Sequence, residues 1–189
     1  MGSLAVAMVG IISLAPVLKN LLTPIVGPIY SALGADPAMF ATTLLANDMG
    51  GAPLALEMAK NPEAGRLAAF ILGAMMGPTI VFTIPVALGI IEKDDKQFLA
   101  KGILAGITTI PLGVLAGGLV AGFPIGLILV NLIPIIIVAT LIILGLIFMP
   151  EKMTKGFEVF GQAVVIIITI GLVAAIIQEL TGFVVIPGM

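Results

Sequence analysis

From Gly102 to Pro150 the chain carries no Asp, Glu, Lys or Arg. A hydrocarbon core about 30 Å thick takes roughly 20 apolar residues per helix, so a stretch of this length reads as two membrane-spanning helices. Gly122-Phe123-Pro124-Ile125-Gly126 supplies the turn between them. The remainder agrees: of 189 residues 60% are hydrophobic and only 10% charged, with mean hydropathy +1.31. An ordinary soluble domain carries about 25% charged residues. The expected fold class is all-α, a polytopic transmembrane helical bundle forming one domain over residues 1–189. Its helices are broken, discontinuous or re-entrant at Pro and Gly.

The other charge-free runs are less regular. Ser3 to Leu18 is short for a span and ends at Lys19-Asn20. Leu21 to Ala35 holds Pro24, Gly27 and Pro28, and prolines this close oppose a straight helix, so it reads as an irregular, re-entrant or interfacial piece. Asp36-Pro37 is a helix start, a capping carboxylate followed by Pro at the first helical position. That helix is expected through Met39 to Asn47, stopping at Asp48-Met49-Gly50-Gly51-Ala52-Pro53. A second short helix, Pro53 to Lys60, follows. Asn61-Pro62-Glu63 repeats the start signal and leads into Leu67 to Ile91, broken at Gly77-Pro78 and bent at Pro85. Glu92 to Lys96 is a charged loop, Pro150-Glu151-Lys152 opens an amphipathic turn, and Val159 to Gln178 is the last span.

Lys93, Lys96 and Lys101 lie before the uncharged stretch, and Lys152 and Lys155 after it. The turn at 122–126 has none. By the positive-inside rule the 92–101 and 150–158 segments face the cytoplasm and the turn faces out. Small residues one helical turn apart, Gly73/Gly77, Gly102/Gly106, Gly113/Gly117 and Gly118/Gly122, predict close helix packing.

Whole classes of chemistry are excluded by what is missing. There is no Cys and no His, and the three Ser (Ser3, Ser13, Ser31) sit outside any G-x-S-x-G motif. No catalytic residue, metal site or cofactor is expected. With a net charge of −2 there is no basic face for nucleic acid.

Asp48 is the most informative residue. A carboxylate within the membrane costs about 2.5–3.5 kcal/mol on insertion scales, so it signals function by default. It is expected in the last turn of the Pro37 half-helix, at the negative end of the dipole, beside the carbonyls freed at Gly50-Gly51. An anion so placed calls for a cation, and helix breaks near the midplane are where transporters bind solutes and ions. The second break, Gly77-Pro78-Thr79, frees a further carbonyl and offers the hydroxyls of Thr79 and Thr83. The candidate substrate-binding set is Asn47, Asp48, Gly50, Gly51, Gly77, Pro78, Thr79 and Thr83. Asn131 reads as an interhelical hydrogen bond.

Several runs carry a resemblance: Leu4 to Gly10, Leu14 to Leu18, Thr43-Leu44-Leu45-Ala46-Asn47-Asp48-Met49-Gly50-Gly51, Gly73 to Phe82, Ile84 to Glu92, and Met149 to Met153. Together they resemble the ethanolamine utilisation permease family over nearly the whole chain. The resemblance implies an inner-membrane carrier for ethanolamine, a small alcohol bearing an ammonium, in the bacterial cytoplasmic membrane. It carries over the Asp48 break and the Gly77 break as family motif positions. It also implies that this chain is about half of a complete transporter. Members of the family are longer and have a second Thr-Leu-Ala-Asn stretch, as the halves of an inverted-repeat carrier would. The expected partners are the bilayer, the amine, and either further copies of the chain or a complementary half. Two readings compete with an amine permease: an ion-coupled carrier, using Na⁺ or H⁺, for another solute, and a non-transporting membrane assembly subunit.

Overall fold

A computed structural model describes residues 2–84, 91–92 and 95–188. Pro85, Lys93 and Asp94 lie outside the described residues, as does the rest of 85–90. Among the described residues every regular element is helical. Four helices are long and apolar enough to cross a membrane: Val9–Ala32, Gly102–Val120, Ile125–Phe148 and Lys155–Thr181.

Helix α1 runs unbroken from Gly2 to Ala32 through Pro16, Pro24 and Pro28. The expected stop at Lys19-Asn20 and the irregular piece at 21–35 are therefore corrected. Each proline removes one backbone N–H, but leaving the helix inside lipid would strand many more polar groups, so the helix persists. It ends where Gly34 takes φ +71° and the Ala35 N–H returns to the Tyr30 carbonyl at 2.9 Å, a turn open to Gly without strain.

Helix α2, Ala38–Leu44, is shorter than expected, and α3 spans Gly51–Met58 rather than 53–60. Leu45 and Ala46 between them are extended, and Asn47–Met49 forms a separate 3₁₀ turn. Helix α4, Pro62–Arg66, starts as the sequence indicates, with the Asn61 side chain accepting from the N–H groups of Glu63 and Ala64. Beyond it the expected kinked helix is replaced by alternating pieces. Leu67–Ile71 is π-helical, Leu72–Ala74 is 3₁₀, Met76–Pro78 is one α turn, and Thr79–Thr83 is π-helical again. The irregularity thus begins ten residues before Gly77 and not at the proline. A mid-helix mixture of this kind marks strain or function more often than packing alone.

Helices α5 (Lys96–Val120) and α6 (Ile125–Phe148) form the expected hairpin, with Gly122 at φ +82° in its turn. Helix α7 runs from Pro150 to Thr181, so the amphipathic turn expected at 150 is continuous with the last span. The core that joins these elements centres on Met39, Leu54, Leu67, Leu72, Met76, Ile107, Ile128 and Ile135, all fully buried. The outward faces of α6 and α7 are aliphatic, with Leu129, Ile136, Leu141, Val165 and Ile170 exposed, the surface that a lipid-facing helix presents.

Glycine determines the close crossings, though not all the expected ones. A Cβ on Gly113 or Gly117 would press on Met75 or Ile71, and one on Gly118 on Ile128, whereas Gly102 and Gly106 have nothing within 4 Å. A pair that sequence spacing does not reveal, Gly10 and Gly171, lets α1 and α7 touch backbone to backbone. A Cβ on Gly10 would overlap the Ile168 carbonyl, and one on Gly171 the Gly10 carbonyl.

Candidate functional site

The two expected breaks, far apart in sequence, meet in space. The extended Leu45-Ala46 pair leaves the helical ladder, with the Ala46 carbonyl accepting from the Met49 (3.1 Å) and Gly51 (2.9 Å) N–H groups, and Gly77 lies against the pair so closely that a Cβ there would overlap the Leu45 carbonyl. Gly73, one turn earlier, sits 3.0 Å from the Thr42 methyl and 3.1 Å from the Asn47 Cβ by the same measure. Gly51 lies on the Leu45 and Ala46 carbonyls and donates its N–H to Ala46 at 2.9 Å. Gly50, at φ +86°, turns the chain against Ile11 of α1. Only residues without a side chain permit this crossing, which explains the glycines at both breaks.

The polar groups around the crossing divide into satisfied and unsatisfied. The Asn47 Oδ1 accepts from the Asp48 N–H at 2.8 Å. Thr43 and Thr79 donate to the Met39 and Met75 carbonyls at 2.7 and 2.8 Å. Thr42 is fully buried and its hydroxyl has no partner among the described residues. A buried hydroxyl in that state is destabilising unless something else satisfies it. Asp48 is exposed and its carboxylate has no hydrogen-bond or ion-pair partner among the described residues.

One expectation about Asp48 is corrected here. It does not lie in the last turn of the Pro37 half-helix, because α2 ends at Leu44 and the extended pair intervenes. A second acid nearby in the chain, Glu57 of α3, pairs with Lys19 of α1 at 3.3 Å. Of the remaining candidates, Pro78 and Thr79 are half-buried beside the crossing and Thr83 is exposed further along.

A second polar cluster was legible only in pieces. Asp36 was expected to cap a helix, and its Oδ1 does accept from the Ala38 N–H at 2.9 Å. Its Oδ2 also accepts from the N–H groups of Lys60 (3.0 Å) and Asn61 (2.8 Å). The Asp36 N–H donates to Asn131 Oδ1 of α6 at 2.8 Å, so Asn131 bonds the α1–α2 connection and not another helix as expected. Ser31, Asp36, Lys60, Asn61 and Asn131 line an open cavity of about 450 Å³. Sequence spacing gives no hint that Asp36 ties three elements together. Hydrogen bonds to a charged group contribute about 1.5–3 kcal/mol each, so Asp36→Ala is expected to lower stability by about 3 kcal/mol, read by thermal unfolding in detergent. A loss under about 1 kcal/mol would show that the cluster does not hold the junction.

The family profile described as "Ethanolamine utilisation protein, EutH" matches residues 1–189, the whole chain. The chain belongs to the EutH family. A "Probable ethanolamine permease EutH" of Listeria monocytogenes is 68% identical over all of this chain and 51% of its own length. The protein of the same name from Salmonella typhimurium is 54% identical, with all of this chain aligned to 50% of it. "Uncharacterized protein YxeR" of Bacillus subtilis is 55% identical, again over all of this chain and 51% of its length. The chain thus spans about half the length of the curated EutH relatives it matches. No solved structure matches it.

Proposed function

We propose that this chain forms half of a permease for ethanolamine or a similar small cationic amine in the bacterial cytoplasmic membrane. It acts there as a transporter and not as an enzyme. The observation that carries this reading is the crossing of the two helix breaks, where the Leu45 carbonyl, Thr42 and Asn47 meet the Gly73–Gly77 segment, next in the chain to the exposed Asp48. An ammonium leaving water needs a carboxylate and neutral oxygens to replace its hydration, and a hydroxyl group needs a donor or acceptor. Broken helices supply such oxygens without ionised groups in the bundle core. The permease names of the relatives point the same way and weigh against an assembly subunit that transports nothing.

Uptake of labelled ethanolamine tests the proposal. A full-length protein containing these 189 residues, produced in cells lacking their own ethanolamine permease, should take up the amine saturably, and small primary amines should compete. Uptake no greater than that of cells with empty vector, at verified membrane levels, contradicts it. Dependence on an imposed Na⁺ or proton gradient separates a coupled carrier from a facilitator.

The orientation is part of the same proposal. A cysteine at position 124 is a clean probe because the chain has none of its own. Pro124→Cys is expected to react with a membrane-impermeant maleimide added outside. Reaction only after the cytoplasmic side is opened would reverse the topology.

A further inference from the structure

Lys19 lies within α1 (Gly2–Ala32), inside the candidate span Val9–Ala32. Its ammonium meets Glu57 at 3.3 Å, and the two side chains are 42% and 49% exposed. Asn20 beside it is exposed, and so is Asp48. Gly50 seats the start of α3 against Ile11 and Glu57 ties its end to Lys19, so these groups mark one edge of the molecule, along α1 and α3. An ion pair left half open on a helix of spanning length is disfavoured against hydrocarbon, and such groups face the bundle interior or water. On the other long helices the exposed threonines are self-contained, while Gln162 of α7 is exposed near the start of its span. Thr108, Thr109, Thr140 and Thr169 each bond a carbonyl of their own helix, a state compatible with lipid.

We infer that the α1–α3 edge is a protein interface, covered by the polypeptide that makes up the other half of the relatives' length. That polypeptide brings polar groups to the depth of Lys19 and Glu57. Two observations select this occupant. The chain aligns with only 51% of a relative to which it is 68% identical, so in that protein a further stretch of comparable length is available to pack against an equivalent surface. The outward faces of α6 and α7 are aliphatic and need no cover, whereas the α1–α3 edge carries charge that lipid does not satisfy. The interface is a property of the assembled bundle and holds whatever solute the bundle carries.

The test attaches a photo-crosslinker to single cysteines placed at the exposed residues Asn20 and Leu56 on this edge, and at Leu141 and Leu144 on α6. Each variant is co-expressed with the part of the Listeria monocytogenes relative that this chain does not match. Adducts to that remainder should form at positions 20 and 56 at least ten times more than at 141 and 144. Adducts to lipid alone at 20 and 56, or equal yields on both faces, overturn the interface; predominant adducts to a second copy of this chain overturn the occupant. A second variant, Lys19→Leu with Glu57→Leu, makes the edge fit for lipid without creating an unpaired charge. It should still insert and should capture the remainder at least tenfold less, and unchanged capture overturns the role of the ion pair.

Discussion

Asp48→Asn is expected to reduce ethanolamine uptake by about two orders of magnitude in a full-length protein, with insertion and thermal stability unchanged. The Asp48 carboxylate has no partner among the described residues, so replacing it leaves no other protein charge unpaired and should not disturb the fold. Its role in the proposed site is to face the substrate ammonium. Truncating one member of a charge pair withdrawn from water costs about 2–5 kcal/mol, and each 1.4 kcal/mol is about tenfold in affinity. Asn keeps the size and hydrogen-bonding groups but not the charge, so the loss reports on charge. Uptake within a few-fold of the original at equal membrane levels removes Asp48 from the site.

Gly77→Ala is expected to lower stability by about 3 kcal/mol, the upper end of the usual range for overpacking, and to abolish uptake with it. The added Cβ would coincide with the Leu45 carbonyl and press on the Ala46 nitrogen. The intruding atoms are backbone at the junction of two elements, so the crossing must open and no side chain can swing aside. Gly106→Ala, on the open face of α5 with nothing within 4 Å, provides the control and should unfold at or above the temperature of the parent. If both substitutions are tolerated alike, the two breaks are not in the contact described.

Much of the fold was readable because lipid makes its demands locally. A run without charge must span, a Gly-Phe-Pro turn must separate two spans, and Asn61-Pro62 must start a helix; each is legible from a few neighbouring residues. Misread elements are those in which a local signal competes with a membrane-scale constraint. Pro24 and Pro28 argue against a helix in water, yet within α1 breaking it would strand more backbone groups than the prolines already do. Lys19 looked like the end of a run because its partner, Glu57, lies on another element. The run from Leu67 onward is uniformly apolar, and its alternation of π and 3₁₀ turns leaves no periodic trace in the sequence. At the candidate site the glycines and Asp48 were legible as breaks. That Gly77 clasps the Leu45 carbonyl, and that Asp36 gathers Ala38, Lys60, Asn61 and Asn131, depends on tertiary approach that spacing does not encode.

The central claim is that a small amine binds where the two breaks cross, and protection of a cysteine at that point tests it most directly. Asn47→Cys places a thiol over Gly73 at the crossing, in a chain with no other cysteine. In a full-length protein, saturating ethanolamine should slow its reaction with a small maleimide at least tenfold. A thiol at Leu141 on the outer face of α6 should react at the same rate with and without the amine. Equal rates at position 47 with and without ethanolamine, in a protein that still takes up the amine, would place the binding site elsewhere.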